Sequence, residues 1–273
     1  MIMELDLKQL LQETIRTAQA AAELMRTDEF HIAQKDSAVN IVTSADLNIQ
    51  RFLQEALPKL LPGSAVFGEE GNEAIRNVED IWIVDPIDGT MNFARGLRES
   101  AVSVGLVRRG VLTLGVVYNP FKDEMFSAAA GQGAWLNGKP IHVSSVSFAE
   151  GLFCTAWSLY NKAYAPACRA IMEEVYAKSN DFRRFGSCAL ELCYLAAGRC
   201  DLFFEMRVFP WDLAAGALIL REAGGVITGL NGDELVFDRT TPLVAANNEE
   251  NHGILRDIVA KYVPQVPYEE VLL

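Results

Sequence analysis

Three histidines and five cysteines are all that this chain of 273 residues offers as nitrogen or thiolate ligands for zinc. The cysteines are Cys154, Cys168, Cys188, Cys193 and Cys200; they are odd in number, sit in the second half and form no C-x-x-C pair. None of His31, His142 and His252 lies beside a cysteine pair, so a zinc site is not expected. Reduced, buried thiols in a cytoplasmic protein are the expectation instead. Basic residues are also in deficit: 24 Lys plus Arg against 36 Asp plus Glu leave a net charge of −12. Such a chain repels a phosphate backbone, which argues against direct nucleic-acid binding. Long apolar runs are missing too. The longest, Leu213 to Leu220, has eight residues, where a membrane span needs about 18. Met1 to Asp6 carries no basic n-region and no lipidation pattern, so neither secretion nor membrane anchoring is expected.

What is present is enough apolar material for a large core: half of the residues are hydrophobic. Leu7, Leu10, Leu11, Ile15, Ala18, Ala22 and Met25 recur at helical spacing. Residues 29–42 lose that period and read as a loop or hairpin. A second helix starts near Thr43 to Asp46 and stops around Pro58 to Gly63. Strands are predicted at 65–67, 81–84, 101–107, 111–118, 123–129 and 133–136, with a hairpin at Arg108-Arg109-Gly110. The second half alternates strand and helix: strands at 152–156, 201–206 and 243–246, helices at 163–179, 188–197, 213–223 and 249–263. Its character changes near Ser144 to Glu150, which divides the chain into 1–146 and 147–273.

The chemistry concentrates in Trp82-Ile83-Val84-Asp85-Pro86-Ile87-Asp88-Gly89-Thr90. A buried strand ends at a carboxylate, and Pro86 fixes the turn that follows. Asp88, three residues on, can be aimed at the same point as Asp85. Gly89 admits a ligand close to the backbone, and the Gly89 and Thr90 N–H groups can hold a phosphate oxygen. Phe67-Gly68-Glu69-Glu70 ends another strand, and Trp211-Asp212 precedes a small-residue helix. Taken alone, the paired glutamates are a solvated face, Asp212 is a helix N-cap and Asp46 is a capping residue.

Together these segments resemble the three signature motifs of the inositol monophosphatase family, in order and spacing, from about Asp36 to Val263. Gly131 to Gly138 resembles a further family segment. The resemblance implies a layered αβαβα sandwich of the α/β (α+β) class, in which residues 1–146 and 147–273 form one compact catalytic unit. It implies two or three Mg²⁺ ions per site and inhibition by lithium. Glu69, Asp85 and the Ile87 carbonyl would hold the first ion; Asp85, Asp88 and Asp212 would hold the second. Elementary electrostatics agrees. Carboxylates about 4 Å apart repel by about 4 kcal/mol per pair at an effective dielectric of 20. Bound divalent cations remove that cost, and all-oxygen donors favour Mg²⁺ over zinc.

The family also implies a water activated by the metals and oriented by Glu69 and Thr90, with Asp46 behind Thr90. Lys35 matches a mobile family loop near the metals; alone it is a solvated charge. Asp88, Gly89, Thr90 and Asp212 would touch the phosphate, and Gly186-Ser187-Cys188 with Glu205 would hold the alcohol. Cys188 departs from the family pattern and reads on its own as a small buried thiol. Arg183, Arg184 and Arg207 flank that wall and would either meet a second phosphate or sit as surface charges. Arg98-Glu99 replaces a Pro-aromatic pair near the dimer contact of relatives, where a homodimer is otherwise expected. The leading expectation is hydrolysis of myo-inositol monophosphate. The same chemistry on fructose 1,6-bisphosphate, NADP, a 3′-phosphoadenosine nucleotide or histidinol phosphate stands beside it. So does a non-catalytic partnership with transcription machinery, a role of some family members.

Overall fold

The computed structural model describes residues 6–26, 30–37, 40–70, 78–157 and 161–263. Asp6 accepts the N–H groups of Lys8 and Gln9 at 3.0 and 3.2 Å and opens α1 (Leu7–Ala22). Its apolar stripe, Leu10, Leu11, Ala18, Ala21 and Ala22, is buried. The segment read as a loop or hairpin is an antiparallel hairpin of β1 (Ile32–Ser37) and β2 (Asn40–Thr43); positions 29, 38 and 39 fall outside the described residues. Thr43 caps α2 (Ser44–Leu60), and Asp46 accepts the Thr43 N–H at 2.7 Å in a reciprocal capping box.

A seven-stranded sheet follows, its strands adjacent in chain order: β3 (Ala65–Gly68), β4 (Asp80–Asp88), then, after the single-turn α3 (Thr90–Ala94), β5 (Ala101–Arg108), β6 (Val111–Asn119), β7 (Glu124–Ala129), β8 (Ala134–Leu136) and β9 (Lys139–Ile141). Only the β3–β4 pair is parallel. Arg109 and Gly110 join β5 to β6 with φ of 49° and 80°, the left-handed pair that matches strand twist in a two-residue turn.

The second half supplies β10 (Leu152–Ala156), α4 (Ala165–Tyr176), β11 (Asp181–Arg183), α5 (Cys188–Ala196), β12 (Leu202–Val208), α6 (Pro210–Glu222), β13 (Val226–Thr228), β14 (Thr241–Ala246) and α7 (Glu249–Tyr262). Its strands form a five-stranded sheet in the order β11-β10-β12-β14-β13, with β11, β10 and β12 mutually parallel. The short strands β9, β11 and β13 escaped the sequence reading. Each has three residues, too few for a period to register; β11 and β13 lie on the longer β10 and β14, and β9 closes a hairpin with the equally short β8.

The layers stack as α1/α2, seven-stranded sheet, α5/α6, five-stranded sheet, α4/α7. This is the αβαβα sandwich expected from the motifs. Three apolar cores fill the gaps, and the largest surrounds α5 and α6 between the sheets. All five cysteines are free and buried. Among the described residues no helix is long and apolar enough to cross a membrane.

Helix α6 is pressed onto the seven-stranded sheet at two glycines. A Cβ on Gly115 would stand 2.6 Å from the Ala215 carbonyl oxygen, and one on Gly105 would stand 2.9 Å from Ala214 Cβ. Gly115→Ala is therefore expected to overpack this layer, costing about 1–3 kcal/mol and about 2–12 °C in melting temperature. Scanning calorimetry measures it; an unchanged transition would mean that α6 shifts freely on the sheet.

Candidate active site

An odd spacing puts two residues of a regular strand on opposite faces. Asp85 and Asp88 escape that rule through a bulge. Asp85 pairs with Ser103 and Asp88 with Ala101, so three steps on β4 oppose two on β5. Pro86 brings no N–H to the interrupted ladder. Asp85 Oδ1 accepts the Ile87 N–H at 2.9 Å. Gly89 follows at φ +86°, and a Cβ there would stand 2.8 Å from the Glu99 carbonyl, so only glycine closes this turn into α3.

Asp88 reaches into the second half of the chain. Its Oδ2 accepts the Ala189 N–H at 2.8 Å and a hydrogen bond from the Ser187 hydroxyl, which itself accepts from Leu190 N–H at 3.3 Å as the N-cap of α5. The Ser187 hydroxyl is thus spent on a carboxylate of the cluster. Asp212 arrives from α6. It is the third helical residue rather than the N-cap, because Pro210 starts the helix two residues earlier. Its Oδ2 accepts the Phe209 N–H at 3.0 Å. One carboxylate oxygen each from Asp85, Asp88 and Asp212 lies within 4.8 Å of the others.

Glu69, just past β3, lines the same cleft. Its Oε1 accepts from Lys35 Nζ at 2.7 Å, and the same ammonium pairs with Glu70, so the hairpin bridges both glutamates. This contact holds the Lys35 ammonium well above its ordinary pKa against the opposing cost of burial. Thr90 Oγ1 lies 3.0 Å from the Ile87 carbonyl and 3.2 Å from Asp46 Oδ1. Asp46 Oδ2 meets the Thr43 hydroxyl at 2.5 Å. Burial, then the nearby Glu69 and Glu70 charges, push the Asp46 carboxyl up to about 6 although Thr43 opposes the shift.

Burial likewise pushes Asp88 to about 6, and Asp85 and Asp212 well above the carboxylate range; their mutual charges and that of Glu69 add to it. Each of these groups resists ionising beside the others. A hard divalent cation answers that repulsion, and the donors fit one: all are oxygens, from Asp85, Asp88, Asp212, Glu69 and the Ile87 carbonyl. Opposite oxygens around Mg²⁺ stand about 4.2 Å apart, so the 4.8 Å spread needs only a small side-chain adjustment.

The opposite wall of the cleft, about 110 Å³ in volume, carries Glu205, Arg184, Arg207, Gly186 and Cys188. Burial raises the Glu205 carboxyl and the Cys188 thiol well above their ordinary values. Arg183 does not join them: its guanidinium turns out to Asp181 at 2.5 Å and to the Phe182 carbonyl at 2.7 Å. Lining residues alternate along this short segment, and Arg184 takes the inward place. Glu191 was missed in the sequence. It lines the cleft, accepts the Phe185 N–H at 2.7 Å through Oε1, and is pushed by burial up to about 8. Its signal was a lone charge on the otherwise apolar α5, whose residues are all buried. Glu99, at the departure from the family pattern, is tied to Lys122 and, at 2.8 Å, to the Tyr194 hydroxyl.

Comparison with known proteins agrees with this geometry. The chain matches the inositol monophosphatase family over residues 6–263. It is 40% identical over 251 residues to inositol monophosphatase 3 of Solanum lycopersicum, spanning 88% of this chain and 92% of that one. It is 36% identical over 230 residues to the Nus factor SuhB of Escherichia coli K12, spanning 82% of this chain and 86% of that one. The structure of an IMPase from Thermotoga maritima superposes with a TM-score of 0.84 at 31% identity, covering 95% of this chain and all of that chain. With its motifs, layers and carboxylate cluster in this company, the chain belongs to the inositol monophosphatase family.

Proposed function

We propose that the protein is a Mg²⁺-dependent phosphomonoesterase acting on the phosphate of a small polyol, with myo-inositol monophosphate as its leading substrate. The observation that carries this reading is the meeting of Asp85, Asp88 and Asp212 within 4.8 Å in a cleft that also holds Glu69, Thr90 and Glu205. Glu69, Asp85 and the Ile87 carbonyl would hold one ion, and Asp85, Asp88 and Asp212 a second. Bound there, Mg²⁺ supplies charge neutralisation for the phosphoryl group and lowers the pKa of water.

The protein's own groups do the rest. Glu69 and Thr90 orient the attacking water. The Thr90 hydroxyl, between the Ile87 carbonyl and Asp46, passes a proton toward an Asp46 carboxyl poised near 6. The water oxygen bonds to phosphorus, the ester P–O bond breaks, and the alcohol leaves with a proton. The Gly89 and Thr90 N–H groups face the phosphate, while Glu205 and Asp212 accept from polyol hydroxyls. The likeness to the Nus factor SuhB supports a second reading, in which the fold serves a transcription partner without turnover. Asp88→Asn divides the two: a partner role survives it and catalysis does not.

Asp88→Asn is expected to lower kcat for inositol 1-phosphate by at least about 10²-fold with little change in far-UV circular dichroism; near-normal turnover would refute the assignment. Glu205→Ala is expected to raise KM for inositol 1-phosphate while sparing 4-nitrophenyl phosphate, and equal losses on both would move Glu205 to the ion shell. The third test uses pH. Asp46 and Asp88 bind protons more tightly folded than unfolded, so in EDTA their contribution to stability is full below about pH 4 and is lost as pH rises through about 6. Mg²⁺ replaces those protons. Its thermal shift, read by scanning fluorimetry, is therefore expected to be larger at pH 8 than at pH 5, and equal shifts would count against an ion on these carboxylates.

A further inference from the structure

Helix α5 has one charged residue, Glu191, and it is 0% exposed. Its Oε1 accepts the Phe185 N–H at 2.7 Å and so ties down the turn that brings Gly186 and Ser187 to the cleft. Among the described residues Oε2 has no hydrogen-bond partner, and no Lys, Arg or His nitrogen lies within 4.0 Å of the carboxyl. Yet Glu191 lines the cleft. As a carboxylate it would be a buried charge held by backbone amides alone. As a neutral acid it needs only an acceptor for one O–H, which a molecule in the cleft can offer.

The groups around it favour the acid. Burial raises the Glu191 carboxyl to about 8 against the pull of the Phe185 N–H, and Asp88 adds to the rise more than Arg184 removes. Burial, the larger cause, does not depend on what Asp88 binds. Glu205 on β12, Cys188 on the same helix and Cys200 ahead of β12 also feel the Glu191 charge, and Asp212 on α6 faces Glu205. After burial, the Glu191 charge is the largest influence raising Glu205, so the two carboxyls resist ionising together. Their surroundings decide which one keeps a proton. Glu205 is half-buried and shares the cleft wall with Arg184 and Arg207, whereas Glu191 is wholly enclosed.

We propose that Glu191 works as a neutral acid and is the hydrogen-bond donor of the polyol wall, as Glu205 is its acceptor. Substrate hydroxyls are then held in both senses: an O–H points to Glu205, and a hydroxyl oxygen accepts from Glu191 Oε2. The inference rests on the phosphatase reading above and deepens it. It gives the wall a preference for hydroxyl-bearing alcohols and sets an alkaline limit on their binding. Ionising Glu191 removes the donor and adds a negative charge beside Glu205.

Glu191→Gln separates the acid from the carboxylate, because an amide keeps an acceptor for the Phe185 N–H and a donor for the cleft but cannot ionise. In Mg²⁺, wild-type kcat/KM for inositol 1-phosphate is expected to fall about tenfold from pH 7 to pH 9, carried by KM, as an acid near 8 ionises. That of Glu191→Gln should fall by less than about twofold. On 4-nitrophenyl phosphate, which has no hydroxyl, the two proteins should share one pH profile. Glu191→Ala should raise KM for inositol 1-phosphate about tenfold at pH 7, and the Gln variant should recover that loss. Equal alkaline profiles on inositol 1-phosphate, an equal difference on 4-nitrophenyl phosphate, or a Gln variant as impaired as the Ala variant overturns the proposal. Stability gives a reading that needs neither substrate nor the Ala variant. Glu191 binds its proton more tightly folded than unfolded, so its contribution is full below about pH 4 and is lost as pH rises through about 8. The melting temperature of Glu191→Gln relative to wild type, by scanning fluorimetry, is therefore expected to rise by at least about 4 °C from pH 5 to pH 9. A difference that stays constant or falls overturns the neutral acid. No Mg²⁺-dependent hydrolysis by the wild type would overturn the phosphatase reading and the donor role with it, and the stability shift would still report the neutral acid.

Discussion

Mutual repulsion among Asp85, Asp88 and Asp212 is the constraint to which the rest of the structure answers. The solution is the same at each carboxylate. One oxygen accepts a backbone N–H: Ile87 for Asp85, Ala189 for Asp88, Phe209 for Asp212 and, one step behind, Thr43 for Asp46. A carboxylate so tied cannot swing away from its neighbours, and its second oxygen faces the cleft or the Thr90 hydroxyl. Backbone amides provide fixed partial charge without a competing cation. Lys35, on the hairpin, touches Glu69 and Glu70 rather than the aspartate cluster.

Three separate elements must converge for this to work. The bulge in β4 turns an odd spacing into a shared direction, the start of α5 meets Asp88, and the start of α6 presents Asp212. The last two lie in the central layer, buried between the sheets. Their burial on all sides removes the amphipathic stripe that surface helices show. It also means that the geometry of the site is fixed by backbone contact distances, as at Gly105 and Gly115, rather than by adjustable side chains.

The long periodic elements were legible in the sequence for this reason: α1 and α2 have one buried stripe, and β4, β5 and β6 are buried along most of their length. Of the four three-residue strands only β8 was read, and β9, β11 and β13 were not. The aspartates and Glu69 could be read from their motifs, because chemistry demands those residue types there. Misreadings arose where a single residue's direction matters. Asp212 looked like a cap until Pro210 set the helix start. Arg183 and Arg184 are adjacent in sequence and differ only in which one points inward, which pairing decides. Glu191 went unread, although it is the lone charge on an α5 whose residues are all buried.

The contact of α6 with the glycines of β5 and β6 also orders events in time. Residues 85 and 88 leave the ribosome 124 positions ahead of residue 212, counting from residue 88 (212 − 88 = 124). At about 5–20 residues per second that is an interval of about 6–25 s. Once the seven strands have emerged, and until α5 and α6 follow, only α1 and α2 are available to cover them, and Ile83, Val117 and Phe126 lack the partners of the larger core. The aspartates, meanwhile, stay hydrated and far from crowded. The third aspartate thus joins the other two late in biosynthesis, when the apolar surface of α5 and α6 closes over the sheet and supplies the free energy that holds like charges together.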